Sequence, residues 1–167
     1  MNYLYHRVPK NLKRRYLIPL NELKKVEPKI YAEHIKKYEG RMETLKDKIP
    51  PLNCLWNDVL HMSAVSPRKI DGVLRKLGFK KGLNEERWFK INPRLIDESK
   101  TVVTVGEGKF VRFERKKLDR YDKIRSWTLD YYKKQIKERK RIMIFYKINH
   151  ILFKGKLKIK DLEVIEI

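Results

Sequence analysis

The chain has 167 residues, with 42 Lys and Arg against 21 Asp and Glu, a formal net charge of +21. A hydrophobic fraction of 41 % with 18 aromatic residues excludes global disorder, and no apolar run approaches the roughly 20 residues of a membrane span. One cysteine, Cys54, excludes an internal disulfide framework and a multi-cysteine zinc site.

The length suits one domain over residues 1–167, large enough to bury about 70 % of its unfolded surface. The N-terminus lacks the charged-then-apolar order of a signal peptide, so the expectation is a soluble, cytoplasmic protein.

Residues 3–8 (YLYHRV) alternate and are rich in Tyr and Val, which predicts a strand ended by Pro9. Residues 19–38 read as one or two helices broken near Pro28, with Gly40 just past the end. Ile30, Ile35 and Tyr38 are expected inward. Residues 49–58 (IPPLNCLWND) open with two prolines and read as a loop leading into the apolar stretch LWNDVLHMSAV. The stretch SPRKIDGVLRKLG carries full helix punctuation: Ser66 as N-cap, Pro67 in the first turn, Gly78 as stop, and Ile70, Val73, Leu74 and Leu77 as the buried face.

Residues 87–92, 101–105 and 110–114 read as strands, the last two joined by a glycine-bearing turn, GEGK. Residues 116–139 predict one long basic helix with Leu118, Tyr121, Ile124 and Trp127 inward. Residues 141–149, 150–159 and 162–167 read as closing strands. Helices mainly in the N-terminal half and strands behind predict an α+β fold with a mostly antiparallel sheet.

The charge is unevenly placed. Residues 109–160 hold 19 basic and five acidic residues, a net of +14 in 52 positions. Such a field attracts polyanions, and nucleic acid is the expected partner. A lysine-rich proteome is the competing explanation, but Glu does not rise to match Lys. An acidic membrane surface or protein is a third. Lys133, Lys134, Lys137, Arg139 and Lys140 are the expected exposed cations for phosphate contact.

No metal motif, phosphate-binding glycine loop or nucleophile elbow is present. Cys54, between apolar neighbours, reads as core. His34 falls on a helix. His6, His61 and His150 lie in or beside apolar strand-like segments, LYHRV, VLHMSAV and INHIL. Strands adjacent in one sheet can bring such residues to a common cleft, where neutral imidazole both donates and accepts. The competing reading is that each is separately a satisfied or solvent-facing histidine. A second group joins Tyr38, Glu39 and Arg41 with Trp56, Asn57 and Asp58. Arg41 follows Gly40 in a loop, where a guanidinium can clamp a phosphate, and Asn57 and Asp58 can cap a turn.

The order YLYHRVPKNL, then VLHMSAVSP, then HILFKGKLKIKDLEVIEI resembles the ADP-ribosyltransferase fold, nearest to the DNA-modifying toxins of the DarT type, with RNA 2′-phosphotransferases as relatives. The similarity touches about 45 residues. It implies that NAD is used, with His6 on the nicotinamide-side ribose, Arg41 in the loop over NAD, and His61 and Ser63 lining the cleft from a central strand. The chain departs from the pattern where those toxins place a catalytic glutamate. That neighbourhood here reads Asn149-His150-Ile151, so either His150 serves as the base or the fold works without catalysis.

Three functions are therefore open: an ADP-ribosyltransferase-like toxin or defence enzyme, a non-catalytic nucleic-acid-binding protein, and a metal-independent ribonuclease using His6, His61 or His150.

Overall fold

The computed structural model describes residues 2–10, 12–83 and 86–167; Asn11, the Asn of the Asn-Leu pair after His6, lies outside them. Five α-helices are present among these residues: α1 (Leu20–Val26), α2 (Pro28–Ile35), α3 (Pro67–Lys76), α4 (Leu118–Tyr121) and α5 (Ser126–Lys137). The strands are β1 (Leu4–Arg7), β2 (Tyr16–Leu17), β3 (Lys48–Ile49), β4 (Cys54–Leu55), β5 (Leu60–Met62), β6 (Arg87–Ile91), β7 (Thr101–Gly106), β8 (Lys109–Arg112), β9 (Ile151–Phe153), β10 (Leu157–Lys158) and β11 (Glu163–Glu166). The fold is α+β, and every strand pair among the described residues is antiparallel.

Two sheets make the framework. One runs β1-β6-β11, the other β5-β9-β7-β8. Their edges meet where Tyr5 and Ser63 exchange both backbone hydrogen bonds, at 2.8 and 3.0 Å. This seam brings the two histidine-bearing strands β1 and β5 side by side. The main core lies against both sheets and includes Leu4, Leu60, Met62, Phe89, Ile91, Val103, Ile151 and Phe153. A second core joins α3 to α5 through Ile70, Leu74 and Tyr132. A third covers the other face of the second sheet with Ile49, Val59, Val102 and Leu152.

The punctuation of α3 is realised in full. Ser66 Oγ accepts the Arg68 N–H, Pro67 takes the first position, and Gly78 adopts φ +94° after the end. Pro28 likewise opens α2, although Ile30 and Ile35 there are only half-buried and Tyr38 alone of the expected stripe is fully buried.

The expected long helix is corrected: 116–139 is not continuous. It breaks at residues 122–125, between α4 and α5. The break shifts the helical phase, so Leu118 and Tyr121 stay buried, but Thr128 and Tyr132 replace Trp127 on the inward face of α5. Trp127 is 48 % exposed, contrary to the buried position its spacing predicts. A second correction concerns 141–149, which forms turns rather than a strand. No helix among the described residues is long and apolar enough to cross a membrane.

Candidate functional site

Strand alternation decides which histidine goes where. On β5, Leu60 and Met62 enter the main core, so His61 between them projects to the opposite face, beside its cross-strand partner Leu152. His150 precedes Leu152 by two residues and shares that face. The two imidazoles stand 6.1 Å apart, centroid to centroid and nearly perpendicular. The Trp56 indole packs edge-on to both, at 4.7 Å from His61 and 5.9 Å from His150.

Trp56 is held there by the turn that carries it. The Leu55 N–H donates to the Asp58 carboxylate at 2.7 Å, and Asn21 from α1 donates to its other oxygen at 2.8 Å. The His61 ring in turn donates Nε2–H to the Trp56 carbonyl at 2.7 Å, leaving its Nδ1 lone pair free. Asn57 is fully buried and accepts from the Tyr38 hydroxyl at 2.7 Å. The Tyr38 and Trp56 groups singled out in the sequence therefore meet, and Asp58 does cap a turn.

His6 joins the pair from across the seam. Its Nδ1–H donates to the His61 carbonyl at 2.7 Å. By alternation His6 lies on the Leu4 side of β1, and its ring supports the backbone of β5 rather than lining the cleft. Removal from water keeps all three histidines neutral at pH 7: His6 and His150 are lowered to about 4 and His61 to about 3. Hydrogen bonds to backbone groups offset only part of that effect.

The cleft above His61 and His150 has a volume of about 700 Å³. Seven cationic side chains line it: Arg7, Lys37, Arg41, Lys81, Lys140, Arg141 and Lys147. Arg41 is exposed after Gly40, at φ +81°, with its guanidinium 5.2 Å from the Tyr38 ring centroid. The Lys37 ammonium is held below its usual value by desolvation and by Arg41. Among the described residues Glu86 is the carboxylate in the lining; one oxygen pairs with Arg7 at 2.9 Å and the other is buried without a partner there. Burial raises its pKa against the pull of Arg7. Such a cleft suits an anionic ligand with several phosphate oxygens.

The remaining candidates sit apart or beneath. Ser63 is buried at the seam, and its Oγ accepts the Val65 N–H, so its hydroxyl faces structure rather than the cleft. Lys133, Lys134, Lys137 and Arg139 are exposed along and just past α5, as expected of solvated cations, while Lys140 reaches the cleft rim and pairs with Glu138 at 2.7 Å. Cys54 is half-buried against the third core, and desolvation raises its thiol. Lys37, Lys81 and Glu86 were not foreseeable from sequence, since no spacing marks them and only the fold gathers them. No family model, curated protein or solved structure matches the chain.

Proposed function

We propose that the protein is a nucleic-acid-directed transferase of the ADP-ribosyltransferase type, with NAD in the histidine cleft and an acceptor strand on the basic surface beside it. One observation carries this reading. Arg41, His61 and His150, named separately by the resemblance, line one cationic cleft at the meeting of two sheets, with His6 bonded to the His61 carbonyl behind it. The cleft's volume lies within the ~300–1,000 Å³ usual for ligand pockets, and its cations fit a pyrophosphate.

NAD would supply the ADP-ribosyl group that is transferred. In this reading Arg41 and Lys37 hold the pyrophosphate oxygens, and the Trp56 face excludes water from the ring end. His61 presents a neutral Nδ1 that accepts a hydroxyl proton. His150 stands beside it as the second acceptor, in the neighbourhood where the toxins carry glutamate. His6 acts as a positioning residue by fixing the His61 carbonyl.

A thermal-shift titration with millimolar NAD tests this on the intact chain. Stabilisation is expected, and Arg41→Ala and His61→Ala are expected to abolish it. No shift in the wild type would remove the NAD reading. A second reading, nucleic-acid binding without chemistry, is favoured by imidazoles too weakly basic to be strong general bases at pH 7. Salt-sensitive oligonucleotide binding with no NAD shift and no product supports it. RNA cleavage in EDTA that dies with His150→Ala would instead establish the ribonuclease.

A further inference from the structure

We infer that the groove adjoining the histidine cleft is a stacking platform for an unpaired base of single-stranded nucleic acid, built on Trp127 and Tyr146. The groove has a volume of about 740 Å³ and shares Trp56, Tyr146, Lys147 and His150 with the cleft, so a strand lying in it reaches the histidines.

Its aromatic walls are exposed yet fixed. Trp127 is 48 % and Tyr146 38 % exposed. The Trp127 indole N–H donates to the Lys147 carbonyl at 3.4 Å, and the Thr128 hydroxyl donates to the same oxygen at 3.3 Å. Tyr146 is backed by Tyr131, ring centroids 4.3 Å apart. A buried apolar role is thus refused to both rings while their orientation is held. Lys147 itself sits at φ +57°, a conformation rare for a residue with a Cβ and one that persists only where its surroundings enforce it.

Charge selects the occupant. The Arg125 guanidinium lies over the Trp127 ring, 5.3 Å from its centroid, and the Lys147 ammonium over the Tyr146 ring at 5.6 Å, so each exposed ring carries a cation on a face, which an entering phosphate draws aside as its base takes that face. Bases stacked on aromatic rings with phosphates on adjacent cations is the arrangement of sequence-tolerant single-strand binding. Asp47 and Glu107 also line the groove, which puts the phosphates on the Arg125–Lys147 side. A duplex keeps its bases stacked internally and cannot use the rings.

This rests on the nucleic-acid part of the proposed function and is independent of NAD. The test measures binding of a fluorescent oligothymidylate to the full chain, with a duplex of equal length beside it. Trp127→Ala and Tyr146→Ala are each expected to weaken single-strand binding by about 5- to 150-fold, the size of one lost base stack. Duplex binding is expected to stay unchanged, with Trp127→Phe retaining most of the single-strand affinity. Wild-type binding that neither alanine variant alters overturns the platform and leaves the nucleic-acid reading intact. So does equal weakening toward duplex. No oligonucleotide binding at low salt ends both.

Discussion

The three neutral histidines tie the site's chemistry to the protein's stability. Each has a folded pKa of about 3 to 4 against about 6.5 in the unfolded chain. Between those values the unfolded state binds more protons, so stability falls as pH drops from 6.5 towards 4 and is unaffected by these groups above 6.5. At about 1.36 kcal/mol per pKa unit, the combined loss reaches several kcal/mol, a large part of a typical 5–15 kcal/mol. Glu86 works in the opposite sense, since its raised pKa makes its contribution larger in acid. Three histidines outweigh one carboxyl. Urea midpoints should therefore fall clearly between pH 7 and pH 5, and His61→Gln with His150→Gln should flatten the slope. An unchanged midpoint across that range would refute the half-buried, neutral assignment. Tyr38 gives a second check at this scale. Among the described residues, buried Asn57 accepts only the Tyr38 hydroxyl at its oxygen and has no partner at its nitrogen. Tyr38→Phe should cost about 1–3 kcal/mol in urea denaturation, and no loss would mean that water replaces the hydroxyl.

At the scale of elements, residues 140–147 form one wall of the cleft, and Tyr146 and Lys147 at its end also line the groove. Residues 141–149 read as a strand, and the apolar Ile142, Ile144 and Phe145 were a true signal of packing. Those three pack on the α3–α5 core instead of in a sheet, while Tyr146 faces the groove. The backbone groups find other partners: the Tyr132 hydroxyl donates to the Ile144 carbonyl, the Met143 N–H donates to the Tyr131 hydroxyl at 3.0 Å, and two tight turns close at Tyr146 and Ile148. Positive φ at Arg139 and Lys147 rules out a continuous ladder. Tyr132→Phe should release this wall. Amide exchange at residues 143–148 is expected to rise while α3 stays protected, with a global loss of about 0.5–1.5 kcal/mol. Unchanged exchange there would show that apolar packing alone holds it. The contrast with α3 explains what sequence can reveal. Ser66, Pro67 and Gly78 act on their own backbone, so their meaning is local and was legible. The break before α5 and the exposure of Trp127 depend on what packs against the helix, and no residue within it announces that. His61 and His150 fall between: alternation assigns each to a face, but only the pairing of β5 with β9 sets them 6.1 Å apart.

For the whole molecule, the proposed nucleic-acid role divides the excess charge of residues 109–160 into two parts that salt separates. Among the described residues, the cations on the exposed side of α5, Lys133, Lys134 and Lys137, have no aromatic ring beside them and lie outside the linings of cleft and groove. They can act only through the field or through phosphate contact. Each single-strand phosphate contact adds about 0.7 to the slope of log affinity against log salt. Replacing all three with Gln should lower that slope by about 2 if each meets a phosphate, with little effect on folding because the side chains are solvated. Trp127→Ala should do the reverse, reducing affinity at every salt concentration while the slope stays fixed, since stacking releases no counterions. Parallel salt titrations of the two variants thus distinguish a strand that runs from the groove along α5 from one confined to the groove. A slope unchanged in the triple variant would assign the α5 lysines to solvation and leave the cleft and groove cations as the ones that meet phosphate.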